Sequence, residues 1–169
     1  MNKYKVNPST ELKYLSVRFN SVKHLDLIKP VLDAGGENDF AKELGINNFI
    51  SGDLNYAKFF QDEYKTITSF EVIEHLQNPL IYLRSICDNL TYDGTLYLTT
   101  PVRWIFKGKF HFHEFSKEEL IFCLKEAGFN TIEVSRIQAY NLAHFGIRPL
   151  IRKLRDMILG QCFLIKATK

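Results

Sequence analysis

The sequence has little that would staple or anchor it. It contains only three cysteines, Cys87, Cys123 and Cys162, far apart in the chain. That excludes a disulfide framework and the paired spacing of a zinc site. Buried free thiols in a reducing cytosol are the expectation. No window approaches the roughly 18 apolar residues of a membrane span. The opening stretch MNKYKVNPSTELKY has no apolar core region and no small-residue cleavage site, so a cytoplasmic setting without a secretory signal is expected. A net charge of +3, without clustering, does not argue for nucleic acid. Internal repeats and low-complexity runs are missing. The three spaced glycines of a dinucleotide loop are missing too. With Glu37 where a pyrophosphate would lie, a nicotinamide oxidoreductase is disfavoured.

What is present fits one domain over residues 1–169, with 1–28 as a leading helical segment and enough apolar content for a single core. Apolar residues recur at helical spacing over residues 10 to 28. PVLDAGG then reads as a short buried strand ending in a glycine turn, and DFAKELG as a short helix closed by Gly45. NNFISGDLN is a second strand candidate, and the β-branched, aromatic run YKTITSFEVI a third. Asn78-Pro79 opens a helix whose apolar face uses Leu80, Leu83, Ile86, Cys87 and Leu90. Asp93-Gly94 turns the chain into the strand TLYLTTP. Ser116 to Glu119 is a capping box for a helix ending at Gly128, and NTIEVSRI is a fifth strand. A basic helix opened by Pro149 and the segment QCFLIKATK complete the chain.

This alternation predicts an α/β fold, a doubly wound and mostly parallel sheet with helices on both faces. Ligands on such sheets sit at the carboxyl ends of central strands, and the unusual polar clusters here fall at predicted strand ends. Gly35 and Gly36 supply a tight turn after the acidic Asp33. Asp53 follows Asp33 by 20 residues, near the offset at which an acid accepts hydrogen bonds from ribose hydroxyls. It reads equally as a polar strand end capping a turn. In EVIEH, Glu71, Glu74 and His75 share one face if a helical turn begins there. Two carboxylates and an imidazole can bind a divalent metal or do acid–base work. His111, His113 and Glu114 follow the neighbouring strand and are placed to join them. If Glu71 and Glu74 instead point apart, or pair with arginines such as Arg84 or Arg103, the cluster is scaffolding.

Over roughly residues 25 to 169 the chain resembles the Rossmann-like (class I) S-adenosylmethionine-dependent methyltransferases, in the branch with a Glu-His pair after the fourth strand. VLDAGG is similar to their first motif. YKTITSFEVIEHLQNPLIYLRSICDNLTYDGTLYLTTP resembles their fourth strand, following helix and fifth strand, and HFHEFSKEELIFCLKEAGF the later helix ending in Ala-Gly-Phe. The resemblance implies that Asp33 and the backbone at Ala34, Gly35 and Gly36 hold the methionine part of S-adenosyl-L-methionine. It implies that Asp53 takes the ribose hydroxyls, and that Ser69 and Phe70 line the channel to the sulfonium methyl. Only 16 residues separate Asp53 from Phe70, so the sheet is expected to lack one edge strand of the family.

In small-RNA 2′-O-methyltransferases and ubiquinone-pathway O-methyltransferases a similar Glu-x-x-Glu-His with a later His coordinates a metal. The resemblance therefore implies Glu71, Glu74, His75 and His111 as ligands of a divalent ion. Many relatives keep the pair as a hydrogen-bonded support, and that alternative stands beside the metal. His75 and Glu74 are the candidate catalytic residues. The expected activity is methyl transfer from S-adenosyl-L-methionine to oxygen or nitrogen of a small molecule. A non-catalytic methyltransferase-like binding module is the alternative. The helix with Arg148, Arg152, Lys153 and Arg155 reads as a solvated outer face, or as one facing a membrane or an acidic substrate. Trp104, Phe106, Phe110 and Phe112 read as core beneath a loop or as the wall of an aromatic pocket.

Overall fold

The computed structural model describes residues 17–50, 54–55, 63–103, 110–138 and 161–169. By contact the chain divides into two compact units, Met1–Leu25 with Ile137–Cys162, and Asp26–Arg136 with Phe163–Lys169. In the first, residues 17–22 form the described part of a helix, α1. The leading helix expected to run to residue 28 stops here, because the Leu25 amide bonds to the Val22 carbonyl three residues back and closes a turn.

The second unit carries the sheet. Its elements run β1 (Val31–Asp33), α2 (Asp39–Glu43), β2 (Tyr64–Phe70), a 3₁₀ turn (Ile73–His75), α3 (Pro79–Asn89), β3 (Leu90–Pro101), α4 (Lys117–Ala127), β4 (Thr131–Gln138) and β5 (Gln161–Thr168), the last two strands extending by a few residues into the first unit. The spatial order of the strands is β1-β2-β3-β5-β4. β1 and β2 are parallel with Asp33 opposite Thr68, and β2 and β3 are parallel with Phe70 opposite Thr99. β4 and β5 are antiparallel: Asn130 bonds to Thr168, Ser135 to Leu164, and Arg136 lies over the Phe163 ring. The sheet is thus the mixed, mostly parallel α/β sheet that the alternation predicts.

Alternation along the strands sends side chains to opposite faces. Leu32, Ile67, Leu96 and Leu98 join one core cluster with Tyr82, Leu83 and Ile86 of α3 and Leu120 and Leu124 of α4. Val31, on the other face, packs with Ala41 of α2 and with Ile46. Helices therefore cover both faces. On α3 the buried stripe is Tyr82, Leu83, Ile86 and Cys87, with Leu80 only partly buried, so the expected face is rotated to include the tyrosine.

Two expected strands come out differently. NNFISGDLN contributes one parallel bridge, Phe49 to Asp33, among the described residues. The Asn48 side chain donates to the Val31 carbonyl at 3.0 Å, so a side chain stands where a backbone ladder bond would form. The edge strand expected to be missing would follow Asp53, and most of the segment between Asp53 and β2 lies outside the described residues. TLYLTTP is the end of a longer strand that begins at Leu90 immediately after α3, and Asp93-Gly94 falls in a register shift within it. A Cβ at Gly94 would lie 2.9 Å from Leu90 Cδ2 and from the Thr91 carbonyl, so only glycine fits this fold-over. The Pro149 helix lies outside the described residues.

The capping box forms as read. Ser116 Oγ accepts from the Glu119 amide at 3.2 Å, the Glu119 carboxylate accepts from the Ser116 amide at 2.8 Å, and Gly128 ends α4 in the left-handed region. Replacing Ser116 by alanine is expected to cost about 1 kcal/mol, a fall of roughly 2–4 °C in melting temperature. A thermal melt of Ser116→Ala against wild type reads this directly.

Candidate functional site

The polar residues named from the sequence collect where β1, β2 and β3 end. Asp33 closes β1 and is 1% exposed. Its carboxylate accepts from the Thr68 hydroxyl at 2.6 Å and from the Gly35 amide at 2.9 Å. Burial pushes its pKa up to about 6, because desolvation outweighs the hydrogen bonds from Thr68, Gly35 and Asn38. The next residue, Ala34, is fully buried, and its amide bonds to the Thr68 carbonyl at 2.7 Å. The chain then turns tightly. A Cβ on Gly35 would sit 3.0 Å from Asp33 Oδ1 and 3.2 Å from Val72 Cγ2, and Gly36 has φ +83°. Asn38, which the sequence reading did not single out, locks the turn: it donates to the Gly36 carbonyl at 2.7 Å and caps α2 by accepting from the Ala41 amide at 2.8 Å. Asn at an N-cap before an apolar residue was the available signal.

β2 ends at Ser69 and Phe70, next to this turn. The buried Ser69 hydroxyl lies 2.8 Å from the Tyr82 hydroxyl, and the Phe70 ring meets Phe40 edge-on at 5.5 Å between centroids. Glu71 follows in the left-handed region at φ +56°, a conformation costly for a non-glycine residue and common at functional sites. Its amide bonds to the Thr99 carbonyl at 3.0 Å. The strand expected to continue through Ile73 is broken here.

Because the 3₁₀ turn starts only at Ile73, Glu71 does not share a face with the pair behind it. The group that converges is Glu74, His75 and His111, whose ligand atoms lie within 4.8 Å of one another. Glu74 is 1% exposed and its carboxylate accepts from the Thr100 hydroxyl at 3.1 Å. Its carbonyl accepts from the amides of Phe112 at 2.8 Å and His113 at 3.1 Å, which stitches the segment carrying His111 to the turn. His75 Nδ1 lies 3.1 Å from the Phe110 carbonyl, and its ring meets that of His111 edge-on at 4.9 Å. His111 Nδ1 is 3.4 Å from Glu114 Oε1. His113 turns elsewhere, stacking on Phe115.

Among the described residues, Arg84 and Arg103 bond elsewhere than to Glu71 or Glu74. Arg84 donates to the Glu126 carbonyl, and Arg103 to the Glu114 carbonyl and the Glu119 carboxylate. Thr68, Thr100 and Tyr82 went unremarked in the sequence. Each is a hydrogen-bond partner across strands or from a helix, a role that local pattern does not display. Asp53, Trp104, Phe106 and the basic helix residues lie outside the described residues.

Asp33 also sets a pH dependence. Its folded pKa of about 6 lies above the unfolded value of about 3.9. The folded state therefore binds the extra proton between those values, and stability contributed by the neutral acid is lost as pH rises from about 4 through 6. Asp33→Asn should gain on wild type across that window, by up to about 3 kcal/mol above pH 6. Urea midpoints of both proteins at pH 4 to 7.5 measure it, and parallel curves would contradict it.

A family model described as a methyltransferase domain matches residues 23–134. No curated protein matches the sequence. Among solved structures, a SAM-dependent methyltransferase of Thermotoga maritima, a possible histamine N-methyltransferase, superposes with TM-score 0.72 at 18% identity, over 95% of this chain and 91% of that one. A SAM-dependent methyltransferase of Archaeoglobus fulgidus gives 0.62 at 19% identity over 95% and 94%. The phosphoethanolamine N-methyltransferase 2 of Haemonchus contortus gives 0.60 at 14% over 94% of this chain and 52% of that one. At such identities the likeness is one of fold. Among the described residues no helix is long and apolar enough to cross a membrane.

Proposed function

The chain belongs to the methyltransferase domain family, in the Rossmann-like class that uses S-adenosylmethionine, and from that premise we propose that it methylates oxygen or nitrogen of a small molecule held over Glu74, His75 and His111. The observation that carries this reading is the common placement of the Asp33 turn, Ser69–Phe70 and the Glu74-His75-His111 group at the carboxyl ends of three parallel neighbours. When bound, the cofactor supplies an electrophilic methyl on a sulfonium.

The residues present fit it. The turn at Gly35 and Gly36 admits close backbone approach, since a Cβ at Gly35 would collide with Asp33 and Val72. The buried Asp33 offers negative charge in low dielectric, which suits a cationic ligand and would repel a phosphate. Asp33, Ala34, Gly35 and Gly36 would hold the methionine part, Asp53 the ribose, and Ser69 and Phe70 the approach to the methyl. His75 is the group for taking the acceptor's proton, with the buried Glu74 fixing the turn that carries it. Alignment and exclusion of water supply much of the remaining acceleration.

A second reading has its own observation. Glu74, His75 and His111 lie close enough to close on one divalent ion, and His75 and His111 each place Nδ1 near an oxygen, as metal-binding imidazoles do. These three residues would hold the ion, which would lower the pKa of an acceptor hydroxyl. Glu71 is not part of that group.

Titration of S-adenosylhomocysteine into the protein tests the cofactor reading. Binding is expected, and Asp53→Ala should weaken it roughly tenfold or more, the worth of a hydrogen bond to a charged group. Binding of NAD alone would sink it. His75→Ala is expected to keep S-adenosylhomocysteine affinity while methyl transfer falls by on the order of 10². Loss of activity with chelator and its return with a divalent ion would favour the metal; indifference to chelator would favour His75 as a base.

A further inference from the structure

We propose that Tyr82 of α3 is a positioning residue for the cofactor turn, holding the Ala34 carbonyl and the Ser69 hydroxyl in one hydrogen-bonded chain. The inference rests on the reading above, in which Ala34 and Ser69 flank the cofactor. Tyr82 is fully buried among leucines and isoleucines, as are Ala34 and Ser69. Its hydroxyl oxygen lies 2.8 Å from Ser69 Oγ and 3.4 Å from the Ala34 carbonyl oxygen.

The direction of the chain follows from counting protons. The Ala34 carbonyl can only accept, and a tyrosine has one proton to give. Burial pushes the Tyr82 phenol far above its ordinary pKa, so that proton stays on. Tyr82 therefore donates to Ala34, and Ser69 donates to Tyr82. Among these described partners, each of the two hydroxyls gives once, and Tyr82 also accepts from Ser69.

The consequence is that Ala34 is gripped from both sides. Its amide donates to the Thr68 carbonyl of β2 at 2.7 Å, and its carbonyl accepts from α3. With both polar groups of Ala34 fixed, the peptide leading into Gly35 is held, and with it the Gly35 amide that donates to Asp33. The same chain fixes Ser69 at the end of β2. A helix otherwise occupied with core packing thus sets the relative position of the two segments that flank the cofactor. A phenylalanine would fill the same volume but leave the Ser69 hydroxyl and the Ala34 carbonyl without this partner, which is the reason for a tyrosine at this point of an apolar stripe.

The test uses the full chain and S-adenosylhomocysteine as the probe, with affinity by calorimetry and stability by thermal melt. Tyr82→Phe is expected to weaken binding about tenfold. Ser69→Ala is expected to weaken it similarly, and the double variant no more than either alone, because both single changes cut the same chain. Cys87→Ala, a buried change one turn along α3, serves as the control: it should lower the melting temperature and leave affinity within about twofold of wild type. Tyr82→Phe binding within twofold of wild type overturns the proposal, as does a loss of affinity by Cys87→Ala matching that of Tyr82→Phe at equal loss of stability. If Tyr82→Phe fails to fold, Ser69→Ala with unchanged affinity overturns it. A wild-type chain that binds no S-adenosylhomocysteine overturns the cofactor reading itself, and this inference with it.

Discussion

A carboxylate at the end of β1 is kept out of water by two strands running the same way. Asp33 can be buried there because β2 brings Thr68 opposite it to donate a hydroxyl, and because the chain turns sharply enough for the Gly35 amide to donate as well. Those two bonds do not fully offset desolvation, which is why the carboxyl titrates near 6. The parallel register, the glycine at 35, the bridge to Phe49 and the cap at Asn38 all serve the same end. They leave one negative group at the carboxyl end of β1 with its surroundings fixed.

The second half of the site depends on a different device. Glu71 breaks β2 in a left-handed conformation, and the 3₁₀ turn that follows aims Glu74 inward and His75 outward. Glu74 then acts through its backbone as much as through its side chain. Its carbonyl collects two amides from the segment after β3, and its carboxylate takes the Thr100 hydroxyl. One residue thereby brings two imidazoles from distant parts of the chain within contact of each other. Glu71 takes this conformation because the turn starts at Ile73, two residues later than a helix continuing from the strand would.

Capping and termination were legible because they are local. Asn78-Pro79, the Ser116–Glu119 box and the glycines at 45 and 128 each satisfy backbone groups within four residues of themselves. That NNFISGDLN contributes one bridge among its described residues was not legible, since the Asn48 side chain reaches a carbonyl 17 residues away where a ladder bond would form. The apolar spacing of α3 does not display its tyrosine for a related reason. A hydroxyl on an apolar stripe counts against burial until its partners, Ser69 and Ala34, are known.

By itself the sequence determined the order of the elements, the caps of α3 and α4, and the residue types at strand ends, because periodicity, turn chemistry and motif spacing are written along the chain. It also carried the family, through the long Glu-His block. Tertiary structure alone decided which candidates meet. Glu74 and His75 join His111 while Glu71 stands apart and His113 stacks on Phe115. That choice depends on where the strand breaks and on which carbonyls a later segment finds to bond, and such pairings are between residues tens of positions apart.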